Sequence, residues 1–173
     1  MTRLAIIAGA GGLPAALVAA LSDRPLICAL EGFTPAGLTV DQTFRIERLA
    51  VFLGWLEDQG VTTVTFAGAV QRPRLDPSLF DPATATMVPR LLAAMGQGDD
   101  ATLREVLGIF GEFGFMIAGV ADIAPHLVPG PGLYAGALGT QEETDATRAE
   151  AIVAAMGAVD VGQGCVVAGG LCL

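Results

Sequence analysis

Glycines placed between an apolar run and a helix are the first residues in this chain able to do chemistry. Leu4 to Ala8 is apolar, Gly9-Ala10-Gly11-Gly12 follows, and Leu13 to Leu21 reads as a helix. Pro14 suits the first turn of that helix, where a missing N–H costs nothing. Such a turn offers main-chain N–H groups and the positive end of a helix dipole, which favours phosphate. The same residues also read as a tight turn without a ligand. A dinucleotide fingerprint, G-x-G-x-x-G, is met at Gly9 and Gly11, but Pro14 occupies the third glycine position. Glu31 closes the next apolar run, where an acid would meet a ribose.

Three further groups are candidates. Arg72 and Arg74 carry forked donors that match phosphate, or else are solvated surface charge. Asp99 and Asp100 suit a Mg²⁺-bound water, or else cap a helix. Gln163 lies between two glycines, as a ligand-facing amide or a structural turn.

Composition narrows the chemistry. The 173 residues carry a net charge of −9, and no lysine is present. A basic stripe for nucleic acid is therefore unsupported, and a lysine-dependent phosphate loop or Schiff base is excluded. His126 is the only histidine, which leaves zinc clusters and a Ser-His-Asp triad without support. Cys28, Cys165 and Cys172 lack metal-ligand spacing; Cys28, inside an apolar run, reads as a core thiol. Hydrophobic residues make up 53% and charged residues 16%. That balance implies apolar surface for a partner, a lipid-like ligand or further protein. The stretch Leu4–Leu21 imitates a signal peptide, but its central glycines and Pro14 break the apolar core. The same breaks argue against a membrane span. A cytoplasmic protein fits these features best.

The elements that must position these residues alternate. Residues 26–30 and 61–67 read as strands, 43–46 as a short strand, and 47–59 as an amphipathic helix closed by Gly60. Alternating strands and helices imply an α/β fold with a parallel sheet, whose ligands bind beyond the carboxyl ends of its strands. Gly9–Gly12, Glu31-Gly32-Phe33 and 68–74 all leave strands at that edge. Residues 75–86 read as loop around Pro77 and Pro82, 87–95 as a short helix, 99–110 as a helix, and 115–118 as a strand. Residues 129–132 read as a linker. Beyond it, 142–156 is expected to be a helix, and the last ten residues two short strands around Gly169-Gly170. These are too few elements to bury their own apolar faces.

The ordered set Ile7-Ala8-Gly9-Ala10-Gly11-Gly12-Leu13-Pro14, Glu31-Gly32-Phe33, Phe66-Ala67-Gly68-Ala69-Val70-Gln71-Arg72-Pro73, Gly98-Asp99-Asp100 and Asp160-Val161-Gly162-Gln163-Gly164 resembles the LpxI family. These are the UDP-2,3-diacylglucosamine pyrophosphatases of lipid A synthesis. The resemblance implies a Rossmann-like domain over 1–128, a linker over 129–132, and the first elements of a truncated α+β catalytic domain over 133–173. It implies Mg²⁺-dependent hydrolysis to UMP and lipid X, with the catalytic residues beyond residue 173 and this chain inactive alone. It further implies substrate contacts at Gly9, Gly11, Gly12, Leu13, Gly68, Arg72, Arg74 and Gln163, and metal contacts at Asp99 and Asp100. Peripheral contact with the inner membrane is an expectation of the same kind; a homodimer is expected from the open edge that Val166, Val167, Leu171 and Leu173 would leave. The competing readings are a non-catalytic nucleotide-binding or interaction module and a nicotinamide oxidoreductase domain; Pro14 argues against the latter.

Overall fold

The computed structural model describes residues 3–71 and 73–173. Strand β1 (Arg3–Ala8) is followed by helix α1 (Leu13–Ala20), β2 (Leu26–Leu30) and β3 (Gln42–Phe44). A 3-10 turn at Ile46–Arg48 leads into α2 (Leu49–Asp58). Gly60, at φ +71°, closes that helix before β4 (Val61–Ala67). Next come a 3-10 turn at Pro77–Leu79, α3 (Pro82–Ala85), α4 (Val88–Met95) and α5 (Asp99–Glu112). Strand β5 (Met116–Ile117), α6 (Val120–Ile123) and a 3-10 turn at Pro125–Leu127 complete this part.

Five strands form one sheet in the order β3-β2-β1-β4-β5, and every pairing is parallel. The fold is α/β, as the alternation of patterns implies. Side-chain alternation along β1 shows how the sheet is buried on both faces. Ala5 and Ile7 join Leu53, Leu56, Ile109 and Phe110 on one face. Ile6 and Ala8 join Leu17, Ile27, Ala67 and Ala124 on the other. Aromatic contacts tighten the first cluster: Phe44 stacks on Phe52 at 3.9 Å, and Phe66 meets Phe110 edge-on at 5.1 Å.

Residues 75–86 are not the plain loop that their prolines suggest. Asp76 Oδ1 accepts from Ser78 N at 2.9 Å, and Asp81 Oδ1 accepts from Ala83 N and Thr84 N at 3.0 Å. Each Asp-Pro pair therefore starts a helical turn, with the aspartate as N-cap and the proline just inside. Strand β3 stops at Phe44 because Ile46 opens the 3-10 turn, and β5 is shorter than the 115–118 run.

The chain divides into two compact units: Met1–Gln97 with Ala101–Pro129, and Gly98–Asp100 with Gly130–Leu173. The second contains α7 (Thr140–Ala158) and the antiparallel pair β6 (Val167–Ala168) and β7 (Leu171–Cys172). Gly169 and Gly170, at φ +57° and +79°, form the tight turn between those strands. The residue that α7 buries is Asp145. Its carboxylate accepts from Gly169 N and Gly170 N, both at 2.7 Å, and from Gln141 Nε2 at 3.0 Å. Among the described residues, no helix is long and apolar enough to cross a membrane.

Candidate functional site

In this sheet the chain steps from β1 to β2 on one side and later places β4 on the other. The crevice above the carboxyl ends of β1 and β4 is the switch point where open α/β sheets bind ligands. Two loops meet there. Ala10 N donates to Ala69 O and Ala69 N to Ala10 O, each at 2.8 Å, and Gly9 N donates to Ala67 O at 2.8 Å. A Cβ on Gly9 would lie 2.5 Å from Ala69 O, and one on Gly68 would lie 2.7 Å from Ala10 O and Gly9 C. The absence of side chains at Gly9 and Gly68 is thus accounted for by the two backbones approaching each other.

Gly11 and Gly12 are different. A Cβ on either would meet nothing within 4 Å. Gly11 sits at φ +98°, whereas Gly12, the N-cap of α1, has ordinary angles of −87° and −15°. No side chain caps α1, and Pro14 is buried in its first turn. The turn therefore has open space where side chains would otherwise stand, beside the N-terminus of α1, and a helix N-terminus favours phosphate. Leu13, 40% exposed, follows it in sequence, and Val70, 48% exposed, follows Ala69.

A row of charges occupies the same edge over β2 and β3. Arg45 Nη1 lies 2.9 Å from Glu31 Oε2, and Arg45 Nε lies 3.3 Å from Glu47 Oε2. Glu47 Oε1 also accepts from Asp76 N at 2.8 Å, and Glu47 O accepts from Asp81 N at 3.3 Å. Glu47 is only 3% exposed. Burial pushes its carboxyl upward, but the N–H groups of Asp76 and Glu47 itself, with Arg45, outweigh that and hold it below the ordinary range. Glu31 does end β2 where a ribose acid would stand, yet its carboxylate is paired with Arg45.

Arg74 is exposed on the segment after β4, and Arg72 lies outside the described residues. Gln163 is exposed in the second unit. Asp99 and Asp100 stand in the first turn of α5. Asp99 N donates to Asp160 Oδ2 at 2.9 Å, within the second unit. Gly98, at φ +129°, leaves room there, since a Cβ would collide with that Asp160 carboxylate. Among the described residues, no three His, Cys, Asp or Glu side chains gather to hold a metal. Cys28 is a core thiol: burial, then Asp41, pushes it up to about 12, far from reactive.

A shallow apolar groove of about 430 Å³ lies in the first unit, lined by Leu75, Pro77, Phe80, Ala85, Val88 and Leu92. Sequence reasoning missed this groove and the buried Glu47. An acid at the start of an amphipathic helix ordinarily reads as surface charge. The available signal was the pair of Asp-Pro helix starts, which makes 75–86 an ordered segment needing an anchor.

The LpxI N-terminal domain family matches residues 3–127. The chain is 31% identical over 183 aligned residues to the UDP-2,3-diacylglucosamine pyrophosphatase LpxI of Caulobacter vibrioides, covering 100% of this chain and 64% of that protein.

Proposed function

The chain belongs to the LpxI N-terminal domain family, and we propose that its first unit is the phosphate-holding side of a site for UDP-2,3-diacylglucosamine. The open turn at Gly11-Gly12, set against the start of α1 at the switch point of the sheet, carries the proposal. A pyrophosphate brings charge that backbone N–H groups and a helix dipole stabilise without lysine. Arg72 and Arg74 are the side chains we assign as its further contacts. The diacyl part of such a ligand seeks apolar surface, and the groove from Leu75 to Leu92 suits it.

Hydrolysis asks more than this. When bound, Mg²⁺ would polarise a phosphoryl oxygen and provide an activated water. The described residues gather no metal set. We place the metal and the water-activating carboxylate in the part of the relative's length that this chain does not span. On this reading the chain orients the pyrophosphate and binds the lipid without turning it over. The sheet edge would face a cytoplasmic nucleotide pool.

A nicotinamide reading has an observation against it. Pro14, at the third glycine of the fingerprint, is buried in the first turn of α1, where the fingerprint needs a glycine for close helix–strand packing. Titration calorimetry with UDP-2,3-diacylglucosamine, with NADH as a control and UMP release followed with Mg²⁺, tests the proposal. Saturable binding of the lipid nucleotide alone, without UMP release, is expected. Tight NADH binding, or no binding of the lipid nucleotide, contradicts it.

A further inference from the structure

The segment leaving β4 has a fixed start and a fixed finish. It begins at Ala69, bonded to Ala10 above β1, and its far end is held where Asp76 N donates to Glu47 Oε1 at 2.8 Å. Glu47 follows β3, at the outer edge of the sheet. Two strands, β1 and β2, stand between β4 and β3, a gap of about 14 Å at the usual strand spacing. The seven residue steps from Ala69 to Asp76 reach at most about 24 Å. The two ends are therefore joined with about 10 Å of chain to spare, and the hydrogen bond at Asp76 N sets where residues 73–76 lie.

Glu47 is the pin that accepts this bond, and it is a costly one. A carboxylate almost wholly removed from water persists only when its oxygens are satisfied. Oε1 takes the Asp76 N–H, Oε2 faces Arg45 Nε, and the backbone oxygen takes the Asp81 N–H. Arg45 carries the link on to Glu31 at the end of β2. One buried carboxylate thus ties β3, β2 and the far end of the segment after β4 together.

We infer that Glu47 is a positioning residue: it fixes where residues 73–76, with Arg74 among them, stand at the carboxyl edge of the sheet. The inference rests on the phosphate-site reading for its functional consequence, and on the Asp76 hydrogen bond alone for its structural one.

The test uses the whole chain as wild type, Glu47→Gln and Glu47→Leu. Glutamine keeps an acceptor for Asp76 N; leucine removes it at similar volume. Amide exchange at Asp76 reports the pin, and calorimetry with UDP-2,3-diacylglucosamine reports its consequence. Glu47→Leu should expose the Asp76 amide to exchange and weaken binding about tenfold or more, as expected for losing a hydrogen bond to a charged acceptor. Glu47→Gln should keep that amide protected and bind within about threefold of wild type. Unchanged exchange in Glu47→Leu overturns the pin. Free exchange with unchanged affinity overturns the positioning role, as does a glutamine variant no better than leucine. A wild-type chain that does not bind the lipid nucleotide removes the phosphate-site reading, and the positioning role with it, while the exchange result still decides the pin.

Discussion

The two units of this chain are organised by different physics. The first buries apolar side chains on both faces of a parallel sheet, in clusters built around Ile6, Ile7, Leu53 and Phe110. The second contributes no residue to either cluster. Its long helix buries a carboxylate, and Leu133, Tyr134, Leu138, Val161, Val166, Leu171 and Leu173 remain exposed. Apolar burial is non-directional and cooperative over many residues. A carboxylate gripping two N–H groups is directional and local. The sheet of the first unit therefore rests on many side chains, whereas the hairpin of the second depends on one.

The largest effect expected from this contrast is in the core. Phe110→Ala should cost about 3–5 kcal/mol and lower the melting temperature by several degrees, read by calorimetry. Next is Gly68→Ala, which forces a side chain into the Gly9-Ala10 backbone at φ +93°. About 1–3 kcal/mol of destabilisation is expected. A neutral Gly68→Ala would mean that the two loops are not locked together. Smaller, and confined to the second unit, is Asp145→Ala. The Gly169 and Gly170 amides should lose protection from exchange while the melting of the first unit stays put; a matching loss in both units breaks the comparison.

Acid should separate the units as well. Burial raises the Asp145 carboxyl, but the Gly170 and Gly169 N–H groups, Gln141 and Arg148 more than offset it, so the folded value lies below the ordinary one. The unfolded chain then binds the proton more readily, and acidification favours opening. The contribution is complete above about pH 4, the ordinary aspartate value, and is lost as pH falls through the lower folded value. Hairpin amide exchange followed from pH 6 downward, corrected for intrinsic rates, should show protection lost only below about pH 4. A transition near neutrality would contradict it.

Local sequence carried the strands, the glycine turns and the Gly169-Gly170 hairpin, because each is written in neighbouring residues. It could not separate two kinds of glycine. Gly9 and Gly68 are 59 positions apart in sequence (68 − 9) and touch in space, so their reason for being glycine is a long-range contact. Gly11 and Gly12 have no such neighbour. Glu47 and Asp145 were equally opaque: each is an acid near a helix start, and what buries it arrives 29 and 24 or more residues later. The Asp-Pro pairs at 76–77 and 81–82 were legible as helix starts, but prolines read as breakers hid them.

Gly12→Ala gives the smallest expected change in stability and sharpens the functional side. Its backbone angles are ordinary and its surroundings open, so the melting temperature should fall by no more than a few degrees, the cost of alanine at an N-cap. Binding of the lipid nucleotide should nevertheless weaken if phosphate comes close to the main chain there.

The most direct test of the phosphate-holding turn is a titration of the ¹⁵N-labelled chain with UDP-2,3-diacylglucosamine, followed by amide chemical shifts. The largest shifts are predicted at Gly11, Gly12, Leu13 and Ala15, with smaller ones at Ala69 and Val70. Saturable binding whose shifts avoid the Gly11–Ala15 turn would contradict the account.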